Sequence, residues 1–242
     1  MVDYIPDQQI TEHENLSSDY IIRSYNLTKI YNEGMPSEVK ALDNVSFGLK
    51  KGRMIAIVGP SGSGKSTLLN ILGCMDSSTS GRALIDGIEI TNLSERELAD
   101  IRKNKIGFVF QDFLLIPTLS AIENVLLPLI PDGIKKEDRE HAMNILEQVG
   151  LRERANHRPK ELSGGEKQRV AIARAMIHTP TIIFADEPTG NLDSKIGEGI
   201  INLLRKLNET SGITVVIVTH DQSVMQKVDL VLNMMDGGIH IP

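Results

Sequence analysis

The chain has no tryptophan, a single cysteine among 242 residues and only 4% aromatic residues. With one thiol, Cys74, no internal disulfide can form, and its apolar neighbours mark it as a small buried hydrophobe in a cytosolic chain. No apolar run reaches the eighteen or so residues of a membrane span, and the stretch from Val2 to Asp19 is polar and acidic with no apolar signal region. Any membrane role is therefore expected through a partner. The formal charge is −6, from 26 basic against 32 acidic residues, and no long basic block occurs. A phosphate-backbone footprint is thus missing, which argues against a nucleic-acid partner. The six histidines include His13, His141, His157, His178 and His240, which lack metal-ligand spacing. The charged run that begins at Lys135 is expected to be a solvated helix face.

What is present is a phosphate loop. Gly59-Pro60-Ser61-Gly62-Ser63-Gly64-Lys65-Ser66-Thr67 lies between the apolar run Met54 to Val58 and the helically spaced Leu68 to Leu72, so it occupies a strand-to-helix turn. Its glycines let backbone N–H groups curl around an oxyanion, and the helix N-terminus adds about half a positive charge. Lys65 supplies a point charge for the outer phosphates, and Ser66 is left to hold Mg²⁺. A length of 242 residues suits one large α/β domain or that domain plus a small insertion.

Residues 1–19 lack periodicity and are expected to form a mobile tail. Tyr20 to Tyr31 and Val39 to Leu49 are strand-like, and Asp86-Gly87 is a hairpin turn between Ala83-Leu84-Ile85 and Ile88-Glu89-Ile90. An antiparallel piece beside the main sheet follows. Ser94 with Glu97 and Ser120 with Glu123 are capping boxes that open helices. From about 112 to 165 the pattern is helical, an inserted subdomain within a single domain at 20–242. Apolar strands at Ile106 to Phe110, Thr181 to Ala185 and Thr214 to Thr219 alternate with helices at Glu166 to His178 and Ser194 to Thr210, as in a mainly parallel sheet covered on both faces. A last apolar strand runs from Leu230 to Met235.

Two carboxylates, Asp186 and Glu187, end the strand through Ile182, where α/β sheets hold ligands. Successive side chains of a strand point to opposite faces, so the pair divides its work: Asp186 for the Mg²⁺ shell, Glu187 to polarise the attacking water. A second anion cradle lies at Leu162-Ser163-Gly164-Gly165-Glu166-Lys167-Gln168, at another helix start. One nucleotide does not need two cradles from one subunit.

With these motifs the chain resembles the ATP-binding subunits of ABC transporters, whose Walker A, Walker B and signature motifs match Gly59 to Ser66, Ile182 to Glu187 and Leu162 to Gln168. The resemblance implies a P-loop NTPase (RecA-like) core with an antiparallel β subdomain and an inserted helical subdomain. It also accounts for the second cradle, because in that family two subunits pair head to tail and the signature of one completes the ATP site of the other. It further implies that Tyr31 stacks on adenine, that Gln111 touches Mg²⁺ and the attacking water, that His220 contacts the γ-phosphate, and that Asp193, in Gly190-Asn191-Leu192-Asp193, senses the partner subunit. ATP and Mg²⁺ are the expected cofactors. A homodimer and an integral membrane permease are the expected partners, with the chain peripheral on the cytoplasmic face of the membrane.

Within the family, Ile106 to Gln111, Ser120 to Val125, Leu127-Pro128-Leu129 and Ala185 to Asp193 look most like the group serving lipoprotein release, macrolide and peptide efflux and cell division. Ser78 stands where that group often has proline. Phe113, Leu114, Leu115 and Ile116 are candidates either for a permease-binding groove or for burial in the helical subdomain. Two alternatives stay open. A soluble ABC ATPase acting on DNA or ribosomes usually carries a long coiled-coil insertion or tandem cassettes, neither of which is found here. An ATP-switched scaffold or regulator would keep the site without moving a substrate. A GTPase lacks support, since Asn104-Lys105 is followed by Ile106-Gly107 and not by the base-reading pattern.

Overall fold

The computed structural model describes residues 4–5 and 19–240. Two sheets share the chain. The first is antiparallel, in the order β1 (Tyr4–Ile5), β3 (Val39–Lys50), β2 (Tyr20–Tyr31), β5 (Ser80–Ile85), β6 (Ile88–Glu89). The Asp86-Gly87 hairpin joins β5 to β6, and both central residues adopt positive φ, 48° and 81°, as its tight two-residue turn requires. Most of the polar segment 1–19 lies outside the described residues. Its β-branched and aromatic pair Tyr4–Ile5 nonetheless adds an edge strand to Leu49 and Gly48.

The second sheet is mainly parallel, in the order β11 (Gly238–His240), β10 (Leu230–Met235), β4 (Met54–Val58), β9 (Thr214–Val218), β8 (Ile182–Asp186), β7 (Ile106–Val109). Its inner strands β4, β9 and β8 are almost wholly apolar and buried because both faces are covered, yet the period of two persists inside them. Ile183, Ala185, Val215 and Ile217 pack toward a helical core, while Ile182, Phe184, Val216 and Val218 pack toward the antiparallel sheet and α1 (Lys65–Leu72). The sequence places a turn at Asp236-Gly237-Gly238 after Leu230 to Met235; the structure adds a strand beyond it, β11, paired back on β10. Gly237 (φ 77°) makes the reversal and lets three more residues pair back.

After α2 (Glu95–Lys105) and β7 the chain enters α3 (Ala121–Leu126), a 3-10 turn over Leu127–Asp132, and α4 (Lys136–Gln148), before α5 (Gly164–Met176) returns to the sheet. The capping boxes at Ser94 and Ser120 are formed, each serine accepting from the glutamate N–H and each glutamate accepting from the serine N–H. Then α6 (Ser194–Ser211), stopped by left-handed Gly212, leads into β9, and α7 (Gln222–Met225) into β10. The long connection from β7 to α3 is held from inside. Fully buried Asn124 accepts from the Ile116 N–H at 2.7 Å and donates to the carbonyls of Ile116, Leu119 and Ser120 at 3.2, 3.1 and 2.9 Å.

Replacing Asn124 by Leu keeps the branched heavy-atom skeleton and strands those backbone groups, each a loss of about 1 kcal/mol or more. The variant is expected to lose about 3 kcal/mol of stability, read as a lower urea midpoint with an unchanged slope. An unaltered midpoint would show that the loop does not need this side chain.

Candidate active site

The site forms where β4 ends. Gly64 is held at φ 98°, and a Cβ there would stand 2.3 Å from the Ala41 carbonyl oxygen, so only glycine permits the turn to pass this close to β3. Behind it α1 begins at Lys65. The Lys65 side chain is 9% exposed, and its ammonium donates to the carbonyls of Gly59 and Pro60 at 2.9 and 2.7 Å, with the Ser63 hydroxyl at 3.5 Å. These partners are neutral, so the cation keeps its charge for an anion.

A cavity of about 640 Å³ opens over this turn, and it brings together Tyr31, Lys65, Ser66, Asp186, Glu187 and His220 with the remainder of the glycine-rich loop. Asp186 Oδ1 accepts from the Ser66 hydroxyl at 3.5 Å across β9, the strand between β4 and β8. Among the described residues no group of three or more His, Cys, Asp or Glu side chains could hold a metal. Two hard oxygen donors suit Mg²⁺, which takes one or two protein oxygens and completes its shell with phosphates and water.

Glu187 lies one residue past β8 in a left-handed conformation, φ 46°, with its N–H bonded to the Val218 carbonyl at 2.9 Å. Non-glycine residues adopt this geometry only where the surroundings enforce it. Here the carboxylate is pinned by Thr219 Oγ1 donating to Oε2 at 3.2 Å and by His220 Nδ1 2.8 Å from Oε1. That contact places the ring proton on Nδ1 and leaves the His220 Nε2 facing outward on an exposed ring.

Other candidate residues lie elsewhere. Gln111 does not line the cavity; its Nε2 donates to Asn191 Oδ1 at 3.3 Å, and Asn191 in turn donates to the Gln111 carbonyl and to Asp112. Asp193 caps α6, accepting from the Ile196 N–H at 3.0 Å. Ser163 caps α5 in a full capping box with Glu166. The signature glycines have a packing reason of their own, since a Cβ on Gly165 would sit 2.5 Å from Ile196 Cγ2. Neither Ser163 nor its glycines line the Lys65 cavity.

Three residues escaped the sequence reading. Thr219 and Asn191 carry no motif beyond their neighbours. Gln168 had a signal: it is a polar residue on the buried stripe of α5 with Gly165 and Ala171, and is fully buried. Its Nε2 donates to the Pro188 carbonyl at 2.8 Å and the Phe110 carbonyl at 3.3 Å, tying the signature helix to the backbone beside both Glu187 and Gln111.

The description "ABC transporter" belongs to the family model that matches residues 42–190. The chain belongs to this family. It is 51% identical over 226 residues to the uncharacterized ABC transporter ATP-binding protein MJ0796 of Methanocaldococcus jannaschii, spanning 90% of this chain and 95% of that one. A dimeric structure of MJ0796 in a post-hydrolysis state, bound to ADP and Pi, superposes with TM-score 0.82 at 48% identity, over 91% of this chain and 97% of that one. The lipoprotein-releasing system ATP-binding protein LolD of Legionella pneumophila is 44% identical over 92% of this chain and 98% of its own length. The macrolide export ATP-binding/permease protein MacB of Chlorobaculum tepidum is 48% identical over 90% of this chain but only 33% of its own length. As an ABC ATP-binding subunit the protein is an ATPase of P-loop α/β fold, similar to the lipoprotein-release and macrolide-export members.

Outside the nucleotide cavity, at the β7 edge, lies a groove of about 710 Å³ lined by Phe108, Phe110, Leu114, Pro128, Arg174 and His178. The candidates Phe113 to Ile116 divide here. Leu115 packs partly buried on the helical core, whereas Leu114 is 54% exposed. The Arg174 guanidinium donates to the carbonyls of both Phe113 and Leu114, which hold positive φ, 60° and 48°, and turn Leu114 outward.

Burial is the largest influence on Asp186 and pushes its carboxyl upward; the Ser66 hydroxyl opposes this, the Glu187 carboxylate adds to it, and the Lys65 ammonium opposes it, leaving a net rise. With a folded-state value above the unfolded one, the unfolded chain ionises first as pH rises, so stability falls from the ordinary aspartate range upward. In the absence of nucleotide, Asp186→Asn should therefore melt above wild type at neutral pH, the gap closing as pH drops toward about 4. The same variant should lose the extra stabilisation that ATP gains from Mg²⁺. A lower melting point than wild type at every pH would contradict the direction given to Asp186.

Proposed function

We propose that two copies of this chain pair head to tail around two ATP molecules and drive an integral membrane permease. What carries this reading is that one chain holds two anion cradles, the Lys65 turn and the Ser163 helix start, which do not line one cavity. Each copy then offers half a site, and a two-fold axis completes both. The dimeric MJ0796 structure supports that arrangement.

In the closed pair, Tyr31 stacks on adenine. The backbone of Gly59 to Thr67 and the Lys65 ammonium hold the outer phosphates, and Ser66 with Asp186 would hold Mg²⁺. Held there, Mg²⁺ would supply positive charge to offset that of the phosphates. Glu187 accepts a proton from the attacking water as its oxygen bonds to the γ-phosphorus and the bridging bond to ADP breaks. His220, fixed through Nδ1, meets the γ-phosphate with Nε2, which donates to a phosphate oxygen when the ring carries a proton on that nitrogen as well. Gln111, on leaving Asn191, would be available to Mg²⁺ and the attacking water, and Ser163 to Glu166 of the other copy close on the outer phosphate while Asp193 meets that copy's loop. Turnover then opens the pair, and the opening is passed to the permease.

The permease contact is assigned to the groove at Phe108, Phe110 and Leu114. Among the described residues no helix is long and apolar enough to cross a membrane. Attachment to the cytoplasmic face is assigned to that groove as part of the same proposal. Leu114→Asp is expected to remove the membrane protein that co-purifies with the wild-type chain while ATP affinity stays the same; full co-purification would remove the assignment.

Glu187→Gln tests the chemistry. Turnover should fall by about 100-fold or more, and an ATP-dependent dimer should accumulate on size-exclusion chromatography. Near-normal hydrolysis would refute the role of Glu187.

A further inference from the structure

We infer that Lys29 and Asp76 are positioning residues that hold Tyr31 as a one-sided platform for the nucleobase and so set affinity for ATP without taking part in turnover. The inference rests on the base-stacking role proposed for Tyr31. The ring stands at the last residue of β2, 36% exposed at the rim of the nucleotide cavity, where a tyrosine with no partner would sample several rotamers. It is not left to do so.

The Tyr31 hydroxyl donates to Asp76 Oδ2 at 2.7 Å. The Lys29 ammonium stands over the ring, 4.8 Å from its centroid. The ammonium is itself held by Asp76 Oδ1 at 2.7 Å and by the Ser77 carbonyl at 2.6 Å, and the Ser77 N–H donates to Asp76 Oδ1 at 2.7 Å. The Lys29 and Asp76 side chains keep only 12% and 29% of their exposure, so salt screens this pair less than an open surface pair. Burial works to push the Asp76 carboxyl up, but the Lys29 ammonium, the Tyr31 hydroxyl and the Ser77 N–H together hold it below the usual carboxylate range.

Two consequences follow. A cation over one face leaves only the other face for a base, so the ring can be loaded from one side. The platform is also fastened to the helix of the phosphate cradle: the segment holding Asp76 follows α1, with the Met75 and Asp76 N–H groups on the Asn70 carbonyl at 2.8 and 3.2 Å. Lys65 begins that helix. Tyr31 on β2 is thus tied through Asp76 to the helix that Lys65 begins, and restricting a platform before binding lowers the entropy lost on binding.

Asp76→Ala and Lys29→Met should each raise the KM for ATP by about five- to tenfold with kcat within about twofold, the pattern of lost uniform binding. Inorganic tripolyphosphate, which has no base, should inhibit wild type and both variants with the same constant. Tyr31→Phe, which keeps the ring and loses the hydroxyl, should fall between wild type and Asp76→Ala, and adding Asp76→Ala to Tyr31→Ala should change KM no further. If Tyr31→Ala raises KM while Asp76→Ala and Lys29→Met leave it unchanged, the positioning role is wrong and the stacking role stands. If Tyr31→Ala itself leaves KM unchanged, the stacking role fails and takes the inference with it. Tripolyphosphate affinity falling in step with ATP affinity would mean a general loss of structure and would also overturn the inference.

Discussion

A nearly buried ammonium whose partners are carbonyls organises this molecule. Lys65 is satisfied as a donor by Gly59 and Pro60, but carbonyl dipoles do not cancel a full charge, and a cation out of water gains most from an anion brought beside it. The turn that holds it passes within van der Waals distance of the Ala41 carbonyl, which demands glycine at residue 64, and that closeness in turn depends on β3 being held in place by the antiparallel sheet. The strand order of the parallel sheet serves the same end. By placing β9 between β4 and β8, it sets Asp186 at bonding distance from Ser66 and Glu187 beyond it, so the two acids meet the phosphate turn from the far side.

This arrangement draws on stability gained elsewhere. Asp186 has its carboxyl pushed up by burial, and Glu187 occupies a left-handed backbone conformation that a side chain disfavours. Both sit at the end of β8, whose Ile183, Phe184 and Ala185 are fully buried between two cores. A strand so deeply anchored can hold its last two residues in geometries they would not choose. Gln168 extends that hold: with one amide it ties α5 to the carbonyls of Pro188 and Phe110, so the signature helix cannot shift without pulling on the backbone beside Glu187 and Gln111.

Local chemistry was legible from the sequence wherever it repeats a known physical pattern. The strand, glycine turn and helix around Lys65, the capping boxes at Ser94 and Ser120 and the Asp86-Gly87 hairpin each follow from neighbours within a few residues. What was hidden depends on contacts across the chain. Asn124 appeared only within the run Ser120 to Val125 that resembles one group of the family, yet it fastens a loop eight residues back. The signature glycines were read as an anion cradle, but Gly165 is also demanded by Ile196, thirty-one residues on and invisible to any local rule. Leu115 and its apolar neighbours could not be told apart by spacing; the Arg174 bonds that turn Leu114 out and leave Leu115 on the core come from sixty residues away.

The separation of the two anion cradles has an energetic consequence that extends past shape. If each binding cavity is finished only by a second chain, ATP binds the associated pair more tightly than the single chain, and by linkage ATP must favour association to the same degree. Cleaving the bridging bond splits the triphosphate that both cradles grip, so the affinity that holds the pair together falls once turnover occurs. A subunit of this kind needs no spring or strained loop to produce motion: the free energy lost at the phosphate is the free energy that lets the two chains part.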